Sequence, residues 1–84
     1  MADGILYVDD DVANLAVLRA SCEDEFAVET AEGGAHALEI LKKREFAILL
    51  ADQRMPGMTG VELLEHAREI APDTVRILIT AYSD

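Results

Sequence analysis

Short apolar runs alternate along the chain with longer segments in which hydrophobic residues recur every three or four positions. The runs have the length and composition of buried β-strands, and they lie at residues 4–8, 26–31, 46–51 and 74–79. The longer segments have helical periodicity, and they lie at residues 11–21, 35–44 and 60–71. The order β-α-β-α-β-α-β predicts an α/β fold with a parallel sheet and right-handed crossovers.

The ends of the helices have local explanations. Thr59 and Glu62 have the spacing of a capping box, in which each side chain bonds to a main-chain N–H group at the start of the third helix. Asp10 or Asp11 can cap the first helix. Pro72 ends the third helix because the residue before a proline disfavours helical geometry. The unbroken third strand is expected to be buried on both faces, and the mixed second strand to lie nearer an edge.

The composition restricts the class of partner. The 84 residues fit one small domain, residues 1–84, and the net charge of −10 would repel nucleic acid and anionic membranes. The same charge suits a divalent cation or a basic protein surface. No apolar run approaches the ~20 residues that span a bilayer, and the N-terminus lacks the basic region of a signal peptide. We therefore expect a cytoplasmic protein with no direct nucleic-acid or membrane partner.

The single cysteine, Cys22, permits no internal disulfide and is expected to be a small core residue.

Three of the four predicted strands end in hydrophilic residues: Asp9 and Asp10, then Asp52, and finally Thr80. In the doubly wound strand order 2-1-3-4, the first and third strands are neighbours, and the three carboxylates would meet in one pocket. Converging carboxylates repel each other, and a hard cation such as Mg²⁺ relieves that repulsion. A carboxylate beside Mg²⁺ can attack phosphorus and form an aspartyl phosphate. The Thr80 hydroxyl could then donate to a phosphoryl oxygen.

Three stretches, ILYVDDD, LLADQRMPGMTGVELL and RILITA, together resemble the receiver domain of two-component response regulators. They cover the chain from Ile5 to Ala81 at the spacing of that family. The resemblance implies a flavodoxin-like (CheY-like) doubly wound parallel sheet with the strand order 2-1-3-4. It also implies a phosphorelay module that accepts a phosphoryl group from a sensor histidine kinase or a phosphotransfer protein, and that is not an enzyme beyond this self-catalysed transfer.

The resemblance assigns roles to individual positions. Asp52 resembles the phosphoacceptor, Thr80 the switch hydroxyl that moves toward the phosphoryl group, and Ala81 the small residue that keeps access to the site open.

A second group of positions resembles the family's Mg²⁺ site. Asp9 and Asp10 correspond to its acidic pair, with Asp10 the more direct ligand and Asp9 often acting through water. Asp52 also lies at this site. Arg54 occupies the position that offers its backbone carbonyl to the metal.

The chain departs from the family pattern after its fourth strand. No residue corresponds to the family's fifth strand, its fifth helix or the lysine that follows the fifth strand. We therefore keep a second hypothesis, a non-catalytic interaction module that is phosphorylated poorly or not at all.

A third hypothesis, a haloacid-dehalogenase-type phosphatase, rests on Asp9 and Asp11, but Ala13 stands where that family has Thr or Val.

The same departure predicts exposed apolar surface. Val75, Ile77 and Ile79 of the fourth strand would form an open edge, which is a site for pairing with another chain. We therefore expect a homo-oligomer formed through the edge of the fourth strand and the first helix.

Overall fold

Four parallel strands form one sheet in the computed structural model, which describes residues 4–80. The elements in chain order are β1 (Ile5–Val8), α1 (Val12–Cys22), β2 (Val28–Ala31), α2 (Gly34–Lys43), β3 (Ile48–Asp52), α3 (Gly60–Ile70) and β4 (Val75–Ile79). The strand order is β2-β1-β3-β4, and every pairing is parallel. The predicted fold class, element order and edge position of the second strand are therefore confirmed.

The main core lies between the sheet and the helices α2 and α3. Side chains of this face of the sheet pair across the central strands, Leu6 with Leu49 and Val8 with Ala51, and all four are buried. Helix residues such as Leu63 complete the cluster. Alternate strand residues point to one face, so the apolar runs of β1 and β3 both supply this core.

The opposite face is covered less completely, which corrects the expectation that the third strand is buried on both sides. Ile48 and Leu50 of β3 are only half-buried, while Val75 is 56% exposed and Ile77 is 41% exposed. The reason is that α1 packs on β1 and β2. Within residues 4–80, nothing comparable covers this face of β3 and β4.

Two details at the ends of elements also differ from expectation. Cys22 is half-buried rather than part of the core, because it is the last residue of α1. Phe46 precedes β3, and its side chain is 2% exposed within the core. The Thr74 hydroxyl donates to the Phe46 carbonyl at 2.8 Å and so joins the segments that lead into β3 and β4.

The predicted caps are present. The Asp11 side chain accepts from the Ala13 N–H at 2.9 Å, so Asp11 rather than Asp10 caps α1. Thr59 and Glu62 form the full capping box at the start of α3, with the Glu62 carboxylate accepting from the Thr59 N–H at 2.9 Å. No helix between residues 4 and 80 has the length and apolar character that crossing a membrane requires.

Candidate functional site

The carboxyl ends of β1 and β3 bring three acidic side chains together. Val8 of β1 pairs with Ala51 of β3. Each is followed by an aspartate, Asp9 after Val8 and Asp52 after Ala51. One carboxylate oxygen from each of Asp9, Asp10 and Asp52 lies within 4.8 Å of the others. The convergence was predicted from the acids at the strand ends together with the strand order implied by the resemblance, since it depends on the adjacency of β1 and β3 in the sheet.

The acids open into a cleft of about 470 Å³. Its lining residues are Asp9, Asp10, Asp11, Asn14, Asp52, Gln53, Arg54 and Thr80. All the predicted site residues between 4 and 80 therefore line one cleft. Ala81 lies outside the described residues.

Burial differs among the three acids. Asp9 is 2% exposed, Asp52 is half-buried and Asp10 is exposed. Burial, followed by the negative charges of Asp9 and Asp10, raises the pKa of Asp52, and hydrogen bonds from the Gln53 and Arg54 main-chain N–H groups oppose that rise. The Asp52 carboxylate thus lines the cleft in an environment that disfavours its negative charge.

Asp9 is fixed by three hydrogen bonds. Its Oδ2 accepts from the Tyr7 hydroxyl at 2.8 Å and from the Asn14 side-chain amide at 3.1 Å. Its Oδ1 accepts from the Asp11 N–H at 2.9 Å. Burial, and then the hydrogen bond to Asp9, raise the pKa of Tyr7 far above its ordinary value, so the phenol stays a proton donor.

The sequence patterns did not identify Tyr7 and Asn14 as residues of the site. Tyr7 precedes Asp9 by two positions, and the period of two along a strand places both on one face. Asn14 lies in the first turn of α1, close to the strand end from which that helix begins.

The loop after Asp52 connects the acidic cleft to the start of α3. The Gly60 N–H donates to the Gln53 carbonyl at 3.2 Å, and the Val61 N–H donates to the Gln53 side chain at 3.0 Å. Gly57 has a φ of 84°, in the region that favours glycine, where the loop reverses. Gly60 packs so closely on Asp52 that a Cβ there would lie 2.6 Å from the Asp52 carbonyl oxygen.

The family model for the response regulator receiver domain matches residues 5–84. The chain belongs to this family. The hydrogenase transcriptional regulatory protein HoxA of Cupriavidus necator is 41% identical over 80 residues, which are 95% of this chain and 17% of HoxA. This receiver chain thus spans about a sixth of the length of that relative.

Solved structures agree with the family assignment. A CheY-like response regulator receiver domain protein from Methanospirillum hungatei is 33% identical, with a TM-score of 0.92, and the match covers 100% of this chain and 68% of that one. The response regulator protein TrrA from Thermotoga maritima, solved in complex with Mg(2+)-BeF, is also 33% identical, with a TM-score of 0.89 over 96% of this chain and 71% of that one. The predicted receiver-domain resemblance is confirmed.

The acidic cluster fits Mg²⁺. Receiver domains bind Mg²⁺ at an acidic pocket. Mg²⁺ takes oxygen ligands, keeps several waters and uses one or two carboxylates beside a phosphate group. The three carboxylates of Asp9, Asp10 and Asp52 supply such ligands in a cleft large enough for the waters.

Proposed function

We propose that this receiver domain accepts a phosphoryl group on Asp52 from a phosphohistidine of a sensor histidine kinase or a phosphotransfer protein. The convergence of Asp9, Asp10 and Asp52 in the lining of one cleft is the observation that supports the proposal most directly. A lone aspartate at the end of a strand would be unremarkable, whereas three within one cluster create a site for a cation and a phosphate.

The chemical step is a transfer between two side chains. An oxygen of the Asp52 carboxylate forms a bond to phosphorus, the bond from phosphorus to the histidine nitrogen breaks, and that nitrogen keeps the electron pair. Bound Mg²⁺ would neutralise charge on the phosphoryl oxygens. Asp9, Asp10, Asp52 and the Arg54 backbone carbonyl are the groups that would hold it.

Thr80 has a separate role in this proposal. It is exposed and lines the same cleft as Asp52. Its hydroxyl donates to a phosphoryl oxygen after transfer and so acts as the switch. The phosphoryl group ends on the domain's own Asp52 side chain, so the transfer modifies the domain itself.

The partners follow from the same assignment. The donor is a cytoplasmic kinase or phosphotransfer protein with a basic or neutral surface around its phosphohistidine, because the net charge of −10 repels an acidic partner. The charge also argues that this domain itself does not contact nucleic acid.

Intact mass measurement after incubation with Mg²⁺ and acetyl phosphate tests the proposal. Wild type is expected to gain the mass of one phosphoryl group, and Asp52→Asn is expected to gain none. Asp73→Asn is a matched control, because Asp73 is exposed and lines a different pocket. An adduct of equal yield on the Asp52→Asn variant would disprove the assignment.

A second candidate function is an interaction module that assembles through β4 and α1. It is favoured by the exposure of Val75 and Ile77 on a strand that pairs only with β3 among residues 4–80. An edge strand presents unpaired N–H and C=O groups that a second copy can bond. In this case the acidic cleft binds metal without transferring phosphate.

Sedimentation tests this second candidate. A concentration-dependent dimer that Ile77→Lys converts to a monomer would support assembly through β4. A wild-type chain that stays monomeric at micromolar concentration would reject it. Assembly alone does not separate the two candidates, since the cleft and the β4 edge involve different side chains; the absence of a phosphoryl adduct on wild type would favour the second.

A further inference from the structure

Three hydrogen bonds leave the Asp9 carboxylate with one free acceptor position. An ionised carboxylate offers about four lone-pair positions on its two oxygens. The hydrogen bonds from Tyr7 and Asn14 use both positions on Oδ2, and the bond from the Asp11 N–H uses one on Oδ1. One position, on Oδ1, remains for a metal ion or for a water molecule bound to it.

Burial makes this arrangement hard to change. Asp9 is 2% exposed and Tyr7 is 7% exposed, so neither side chain can exchange its hydrogen bond for bulk water without a local rearrangement. Tyr7 is held between β2 and β3 by its pairings with Thr30 and Leu50. The carboxylate is therefore presented in one orientation.

We propose that Tyr7 and Asn14 are positioning residues that restrict Asp9 to a single metal-directed oxygen and thereby make the acidic cleft prefer Mg²⁺ over Ca²⁺. This inference rests on the proposed metal site. Mg²⁺ requires near-octahedral geometry and few carboxylate oxygens, whereas Ca²⁺ takes six to eight oxygens and often uses both oxygens of one carboxylate. Because Oδ2 is already occupied twice, Asp9 cannot act as a bidentate ligand.

Removing a donor should therefore change the preference as well as the affinity. Tyr7→Phe keeps the ring and removes the hydroxyl, which frees one acceptor position on Oδ2. Loss of a residue that orients a metal ligand weakens metal binding by about 10- to 100-fold, and we expect Mg²⁺ to lose roughly tenfold, the lower limit of that range. Ca²⁺ should lose less, because it can use the freed oxygen.

Calorimetric titration with MgCl₂ and with CaCl₂ measures both dissociation constants in the absence of phosphodonor. The expected result for Tyr7→Phe and for Asn14→Ala is a ratio of the Ca²⁺ to the Mg²⁺ dissociation constant that is severalfold lower than in wild type. Asn14 is exposed on a helix, so its replacement by alanine leaves the core intact. Ser21→Ala is the control, since it removes an exposed hydroxyl of the same helix that bonds only locally, to the Val17 carbonyl.

Tyr7 also provides a spectroscopic signature. The chain has no tryptophan and two tyrosines, so Tyr82→Phe leaves Tyr7 as the only tyrosine. The ultraviolet absorption of a phenol changes with the charge on its hydrogen-bond acceptor. In this background, Mg²⁺ should therefore perturb the Tyr7 spectrum with the same midpoint as the calorimetric titration.

The outcomes separate the two proposals. Wild type that binds neither cation would overturn the metal site and the phosphoacceptor function with it. Wild type that binds Mg²⁺, together with an unchanged ratio in both Tyr7→Phe and Asn14→Ala, would overturn the positioning role alone. A changed ratio in the Ser21→Ala control would also overturn it, because the effect would then not depend on Asp9.

Discussion

Replacement of Gly60 by alanine should destabilise the domain through a clash with the main chain of the acidic strand. A Cβ at this position would lie 2.6 Å from the Asp52 carbonyl oxygen, 2.6 Å from Leu78 Cδ1 and 3.0 Å from the Asp52 carbonyl carbon. The first two distances are about 0.8 Å short of ordinary van der Waals contact, which begins near 3.4 Å. Because the Asp52 carbonyl belongs to the main chain at the end of β3 and not to a flexible side chain, relief of the clash requires β3 and α3 to move apart.

The chain offers a matched control in Gly34. Both glycines are buried first residues of helices, Gly34 in α2 and Gly60 in α3. A Cβ at Gly34 would meet Met58, with 2.5 Å to Sδ and 3.1 Å to Cβ and Cγ. The sulfur is at the far end of a flexible side chain and can move. Both substitutions reduce the entropy of the unfolded chain alike, by about 0.4–1 kcal/mol.

The difference between the two variants therefore isolates the cost of the main-chain clash. Overpacking of a tight site costs about 1–3 kcal/mol, so we expect Gly60→Ala to be less stable than Gly34→Ala by this amount. With a urea slope of about 1 kcal/mol per molar for a small domain, the midpoint should fall by roughly 1–3 M. The assay is urea unfolding followed by circular dichroism.

Equal midpoints for the two variants would refute this reasoning, because they would mean that β3 and α3 separate without cost. The displacement of Asp52 gives a second readout. Gly60→Ala should form less phosphoryl adduct than Gly34→Ala in a fixed time with acetyl phosphate.

Three further predictions concern the cap of α3, the charge of the cleft and the core. Thr59→Ala should cost about 1 kcal/mol in urea unfolding at neutral pH, because it removes the side-chain cap of α3. The Thr59 main-chain N–H, which alanine keeps, and then the Thr59 hydroxyl lower the pKa of Glu62. The part that depends on the hydroxyl is present above the ordinary pKa of glutamate and is lost as pH falls through the lowered value, so the variant should lose slightly less stability in acid than wild type. Asp52→Asn should stabilise the metal-free domain at neutral pH, because the pKa of Asp52 is raised in the folded state. The wild-type domain therefore loses stability as pH rises from the ordinary aspartate pKa through the raised one, and the asparagine variant does not. Urea unfolding at a series of pH values across that interval measures the difference, and no gain over wild type would contradict this sign. Phe46→Ala should cost about 3–5 kcal/mol, since the ring is buried in the main core, and thermal unfolding at neutral pH measures it.

The elements of this fold could be predicted from the sequence because each one depends on local patterns. The capping box at Thr59, the stop at Pro72 and the strand that ends at Asp52 all follow from residues within a few positions of one another. The neighbour relation of β1 and β3 is not local. It came from the family resemblance, and the convergence of the acids depends on it.

The burial of each face and the hydrogen bonds of Asp9 could not be predicted in the same way. An apolar run such as the one around Leu50 does not reveal which face a helix will cover. Tyr7 has the composition of an ordinary strand residue, and only the placement of α1 shows that its hydroxyl and the Asn14 amide meet on one oxygen. Both properties arise from packing between elements distant in sequence.

The position of β4 at the edge of the sheet has a consequence for the rate at which main-chain amide protons exchange with solvent. β1 is bonded on both sides, to β2 and β3, and its residues are all buried. Its amide protons can exchange only when most of the domain opens, whereas every second N–H of an edge strand points away from the sheet. In the isolated domain, deuterium should therefore enter the edge strands β2 and β4 before β1. A partner that pairs with β4 would be detected as protection of alternate amides.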